Sequence, residues 1–123
     1  MGEEKKKMLF VQTSGIDTPE RLYAPFILAS TARAMDVDAS IYFVMKGVTV
    51  VKTGEAEKIK LGGCPSLREV IDQAVKAGVM LMVCEQSCIL LGLDRGNFME
   101  FAKVVGAATL NELALEADTV LCF

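Results

Sequence analysis

The chain has 123 residues, a formal net charge of −3 and a pI near 5.0, with 52% hydrophobic residues and a mean hydropathy of +0.39. That is enough for one compact domain over residues 1–123 with a single core, and too little for two. The acidic balance speaks against a nucleic-acid partner, whose affinity comes from neutralising phosphates, and no stretch approaches the roughly 18 apolar residues of a membrane span.

In chain order, residues 1–7 form a charged arm, Glu3-Glu4 followed by Lys5-Lys6-Lys7, that runs directly into a strand and has no signal-peptide character. Met8 to Thr13 is an apolar run closed by Ser14-Gly15, the pattern of a buried parallel strand with a loop beyond it. Thr18-Pro19 supplies an N-cap and a first-position proline for a helix reaching about Met35. Pro25 cannot lie deep inside that helix, so its regular part starts near Ala24 after an irregular turn. Leu22, Phe26, Ile27, Ala29, Ala32 and Met35 spread around its circumference and imply burial on more than one side. Ala39 to Val44 is a second strand, and Gly47 to Lys52 reads either as a strand or as a short helix.

Lys52 to Gly63 is a polar, glycine-punctuated loop. Ser66-Leu-Arg-Glu69 is a capping box that opens a helix to about Ala77, stopped by Gly78. Val79 to Val83 is a wholly apolar strand that ends on Cys84, and a short helical turn follows through Leu91. Asn97-Phe-Met-Glu100 imitates a capping box, but Phe101 to Val105 closed by Gly106 reads better as a strand. Thr109-Leu-Asn-Glu112 opens a last helix to Ala117, and Thr119 to Phe123 is a final strand. The alternation predicts an α/β domain in three layers, with about five mainly parallel strands and helices on both faces. In the flavodoxin-like order 2-1-3-4-5 the ligand crevice lies between strands one and three. It would then bring Thr13, Ser14 and Gly15 to Cys84.

The chain contains no His, which removes Ser-His-Asp and Cys-His catalysis as well as His-ligated metals and haem. No metal site and no cofactor is expected, and no nucleotide-binding glycine pattern is present. Four cysteines remain, at 64, 84, 88 and 122. They read as reduced thiols of a cytoplasmic protein. Cys84, at a strand end and a helix start, faces unpaired backbone N–H groups and the positive end of a helix dipole, both of which favour thiolate. Adjacent Glu85 opposes this by charge repulsion, and an inert buried cysteine fits the position as well. Cys88 is either an auxiliary thiol or a small helix-packing residue, and its spacing suits neither a thioredoxin motif nor zinc. Cys64, in Gly62-Gly63-Cys64-Pro65, reads as an incidental exposed thiol, and Cys122 as core.

The run Val83-Cys84-Glu-Gln-Ser87-Cys-Ile-Leu-Leu-Gly92-Leu, then Val104-Val-Gly106-Ala-Ala-Thr-Leu110 and Ala117-Asp118-Thr-Val-Leu, resembles the DsrE/DsrF-like family. Ala29, Ala32 and Gly47-Val48 resemble it too. The resemblance implies a five-stranded parallel sheet in a homo-trimer or hexamer, or in hetero-oligomers of similar subunits. It also implies a cysteine after the third strand, here Cys84, that carries persulfide sulfur between donor and acceptor proteins. Gly47 and Ser87 are expected to line its pocket. Two other readings stay open: a non-catalytic assembly or small-ligand-binding subunit, and a thiol peroxidase. The last is the weaker, because Leu81 stands where a peroxidatic site has Thr or Ser.

Overall fold

The computed structural model describes residues 5–123. Of the charged arm, residues 1–4 lie outside the described part. Five strands, β1 (Lys7–Gln12), β2 (Asp38–Phe43), β3 (Met80–Cys84), β4 (Ala102–Val105) and β5 (Thr119–Cys122), form one sheet. Every pairing is parallel, and the order is β4-β3-β2-β1-β5. The class is the α/β architecture read from the sequence, but the strand order is not the flavodoxin-like one. β2 lies between β1 and β3, so no crevice joins the ends of those two strands.

The order follows from steric rules. Three successive crossovers, β1 to β2, β2 to β3 and β3 to β4, step the same way. Because parallel crossovers are right-handed, their connections share one face. That face holds α1 (Tyr23–Ala34), α2 (Leu67–Ala77), α3 (Glu85–Leu91) and a 3-10 helix over Met45–Val51. Its core joins Phe10, Ile41, Phe43, Leu81 and Val83 of the sheet to Phe26 and Ala29 of α1, Ile71 and Ala74 of α2, and Val48 and Val50. The step from β4 to β5 jumps back across the sheet, which sends α4 (Ala107–Glu116) to the opposite face. There Leu9, Tyr42, Met82 and Cys84 pack with Leu110, Leu113 and Ala117. Period-2 alternation along β3 therefore splits Leu81 and Val83 from Met82 and Cys84.

Local signals explain most boundaries. Pro19 begins a single 3-10 turn, Pro19–Arg21, and the regular α1 starts at Tyr23, which leaves Pro25 in the first helical turn, where a missing N–H costs nothing. The Ser66 hydroxyl accepts from the Glu69 amide at 3.3 Å, and Gly78 ends α2 in the left-handed region at φ 99°. The ambiguous Gly47–Lys52 stretch is the 3-10 helix just named.

Three expectations are corrected. α1 buries one face and not several, since Ile27 and Met35 are 48% and 68% exposed. α4 starts two residues before Thr109, capped by Gly106 without a side-chain bond. Cys122 is exposed, because β5 is an edge strand and α4 shields its face incompletely. No helix among the described residues is long and apolar enough to cross a membrane.

Candidate functional site

The first three connections and the last leave the sheet toward opposite faces, and Cys84 stands where they diverge, at the end of β3 beside Val105 of β4. Its backbone is extended, at φ −71° and ψ 118°, and the next residue is already helical. Cys84 is thus the N-cap of α3, and its side chain lies next to the first unpaired amides of that helix. The residue is only 8% exposed. It nevertheless lines an open recess of about 400 Å³ together with Val44, Met45, Gln86, Ser87 and Leu90. The walls are largely apolar.

Four groups act on the sulfur. Burial raises the thiol pKa and is the largest single influence, since desolvation penalises the anion. The Ser87 hydroxyl, the backbone N–H groups of Ser87 and Gln86, and the Tyr42 hydroxyl act against it, and together they hold Cys84 below the ordinary thiol value. Ser87 is held for this task. Its oxygen accepts the Met45 amide at 2.8 Å, which leaves its own proton free to point at Cys84. Met45 achieves that geometry in the left-handed region, at φ 54°, an unfavourable conformation for a side chain with a Cβ. The Glu85 carboxylate is engaged by the Arg95 guanidinium on the surface, which offsets the charge opposing the thiolate.

Of the residues that the sequence assigns to the pocket, Ser87 lines the recess with Cys84. Thr13 and Ser14 lie at the other side of the sheet, where both amides and the Thr13 hydroxyl donate to the Phe123 carbonyl. Gly15 packs against Lys46 and Thr49 of the 3-10 helix. Gly47 sits against the end of β1, where an added Cβ would overlap the Gln12 carbonyl oxygen. These glycines support the site at one remove, by letting the segment that carries Met45 dock on β1.

Cys88 points into the opposite core layer, and burial, followed by the charge of Cys84, pushes its thiol up. Cys64 is exposed and, like Cys122, is not among the residues of this recess. No group of three or more His, Cys, Asp or Glu side chains among the described residues is placed to hold a metal ion. Sequence reasoning missed Tyr42, Val44 and Met45. The signal for Tyr42 was a phenol in the apolar half of β2, Ile41–Phe43, since a buried hydroxyl requires a polar partner.

Fold and site together define a parallel α/β domain with a thiol of lowered pKa at the carboxyl edge of its sheet. The chain belongs to the DsrE/DsrF-like family, whose model matches residues 6–123. It is 29% identical over 109 residues to an uncharacterized protein of Methanocaldococcus jannaschii, an alignment that covers 88% of this chain and 40% of that protein. The chain therefore spans about two fifths of that relative's length. It is 24% identical over 158 aligned positions to the sulfur carrier protein DsrE2 of Allochromatium vinosum, covering 96% of this chain and 98% of that one. In fold it is similar to the ychN protein of E. coli, with a TM-score of 0.78 at 18% identity over 98% of this chain and 100% of that one.

Proposed function

We propose that this chain is an intracellular sulfur carrier that takes up and hands on sulfane sulfur as a persulfide on Cys84. The observation that carries the reading is a thiol held below its ordinary pKa at the wall of an open recess, despite near-complete burial. Membership of a family that includes a named sulfur carrier supports it.

In the first step the Cys84 thiolate attacks the outer sulfur of a donor protein's persulfide. The donor's S–S bond breaks and the donor leaves as thiolate, while a new S–S bond forms on Cys84. In the second step an acceptor thiolate attacks the outer sulfur of that Cys84 persulfide, and Cys84 leaves as thiolate. Each step exchanges one S–S bond for another, so no external oxidant or reductant is consumed. The hydroxyl and amides around Cys84 stabilise it as the leaving group as well as the nucleophile. The exchange needs no cofactor or metal. Self-association into a trimer or hexamer is part of the proposal, supported by the adjacent exposed side chains of Ile89 and Leu90 on α3.

The test is incubation with a persulfide donor followed by intact-mass and peptide analysis. The expected result is an adduct of about 32 Da on Cys84, one sulfur atom, that is absent in Cys84→Ser and is discharged by an acceptor thiol. A wild-type protein that takes up no sulfur refutes the carrier reading in favour of an assembly subunit.

A further inference from the structure

Tyr42 is fully buried, and its hydroxyl donates to the Gly106 carbonyl at 2.8 Å. The path of that bond matters. Tyr42 belongs to β2, Gly106 follows the last residue of β4, and β3 runs between them. The phenol therefore crosses over β3. It does so on the face where Tyr42, Met82 and Cys84 all point, and at the height where Cys84 pairs with Val105. The hydroxyl is thus bonded to the end of β4, within the packed cluster that holds Cys84. A phenol has one proton, so it donates to one of these acceptors at a time.

We propose that Tyr42 is a positioning residue whose hydroxyl turns from the Gly106 carbonyl to the Cys84 sulfur when that sulfur becomes an anion. While Cys84 is a neutral thiol, the carbonyl is the better acceptor and the hydroxyl bridges β2 to β4. When Cys84 loses its proton to solvent, the anion becomes the stronger acceptor, because charge-assisted hydrogen bonds exceed neutral ones. The phenol keeps its proton throughout, in accord with a pKa pushed up to about 12 by burial and then by the charge of Cys84 and the hydrogen bond to it. Gly106 caps α4, so the charge on the sulfur is registered at the start of the helix that covers this face. The inference deepens the carrier reading, since it concerns the same atom, yet it rests only on the ionisation of Cys84.

The test uses the full chain with Cys64→Ser and Cys122→Ser, which removes the two exposed thiols. The rate of iodoacetamide alkylation at Cys84 is followed against pH by peptide mass spectrometry, with and without Tyr42→Phe. The expected result is a rise of about one unit in the apparent Cys84 pKa, a roughly tenfold slower reaction below it, and an unchanged plateau at high pH. In parallel, the carbonyl ¹³C shift of Gly106 in the Tyr42 protein is expected to titrate with the Cys84 midpoint, and to stay flat in Tyr42→Phe. Superimposable alkylation profiles, or a Gly106 shift that ignores the Cys84 titration, overturn the inference. If Tyr42→Phe does not fold, a Gly106 shift that ignores the Cys84 titration in the Tyr42 protein still overturns the inference. Failure of wild-type persulfide uptake would refute the carrier reading and leave this coupling standing, so the two failures are distinct.

Discussion

Ser87→Ala perturbs both the reactivity of Cys84 and the stability of the fold, because one hydroxyl serves both. As a donor, the Ser87 hydroxyl stabilises the Cys84 anion, and a hydrogen bond to a charged group is worth about 1.5–3 kcal/mol. At 1.36 kcal/mol per unit, its loss raises the thiol pKa by roughly one to two units. The lower end is expected, since the amides of Ser87 and Gln86 and the Tyr42 hydroxyl remain. Below the wild-type midpoint the thiolate fraction, and with it the alkylation rate, falls about tenfold. As an acceptor, the same oxygen satisfies the Met45 amide, and leaving that amide unpaired costs about 1–3 kcal/mol, measured as a lower urea midpoint.

The pH dependence carries a sign. A thiol depressed in the folded state contributes stability above its unfolded pKa, near 9.0, and loses that contribution as pH falls through the folded value. In wild type, stability therefore rises with pH in the window just below 9.0, and Ser87→Ala flattens that rise. Ser87→Thr keeps a hydroxyl and should restore most of the rate. An Ala variant whose alkylation profile superimposes on wild type would refute the role assigned to Ser87.

Two further outcomes are expected. Gly47→Ala drives a Cβ into the Gln12 carbonyl, which cannot yield without displacing β1. It should lower unfolding stability by roughly 1–3 kcal/mol and slow Cys84 alkylation by moving Met45 away from Ser87, and an unchanged urea midpoint contradicts the packing described. Tyr42, raised from 10.0 to about 12 chiefly by burial, contributes stability that is complete below pH 10 and lost as pH rises toward 12. The urea midpoint should therefore fall across that window, and less steeply in Tyr42→Phe. Parallel declines in the two proteins count against a buried, protonated phenol.

Features set by neighbours in sequence were legible. Ser66 and Gly78 mark both ends of α2, Pro25 sets back the start of α1, and the apolar run before Cys84 is β3. Features set by partners far apart in sequence were not. Periodicity fixes which side chains of a strand share a face, but it carries no information about which strand lies alongside. The edge position of β5 and the separation of β1 from β3 followed only from the assembled sheet. Hence Cys122, apolar on both sides in sequence, is exposed, and Thr13 and Ser14 serve the end of β5. The site divides in the same way. Cys84 was legible from its place at a strand end, whereas Tyr42 and Met45 reach it only through β2–β3 pairing and a left-handed residue that no side-chain pattern announces.

The near-burial of Cys84 and its lowered pKa belong to one design and do not conflict. Burial alone would favour the neutral thiol, and exposure alone would leave a persulfide on Cys84 open to any small thiol that collides with it. Donors fixed in a poorly solvated wall reverse the first effect, because a hydrogen bond to an anion strengthens where water does not compete. The recess bears on the second, since Cys84 is only 8% exposed and opens to a reactant through a space lined by Val44, Met45, Gln86, Ser87 and Leu90. On the carrier reading this arrangement sets partner choice. A donor would present its persulfide on an apolar segment, because the recess offers little polar surface to bind. The site is then most reactive toward a matched protein and least reactive toward bulk thiols, as a carrier between two proteins requires.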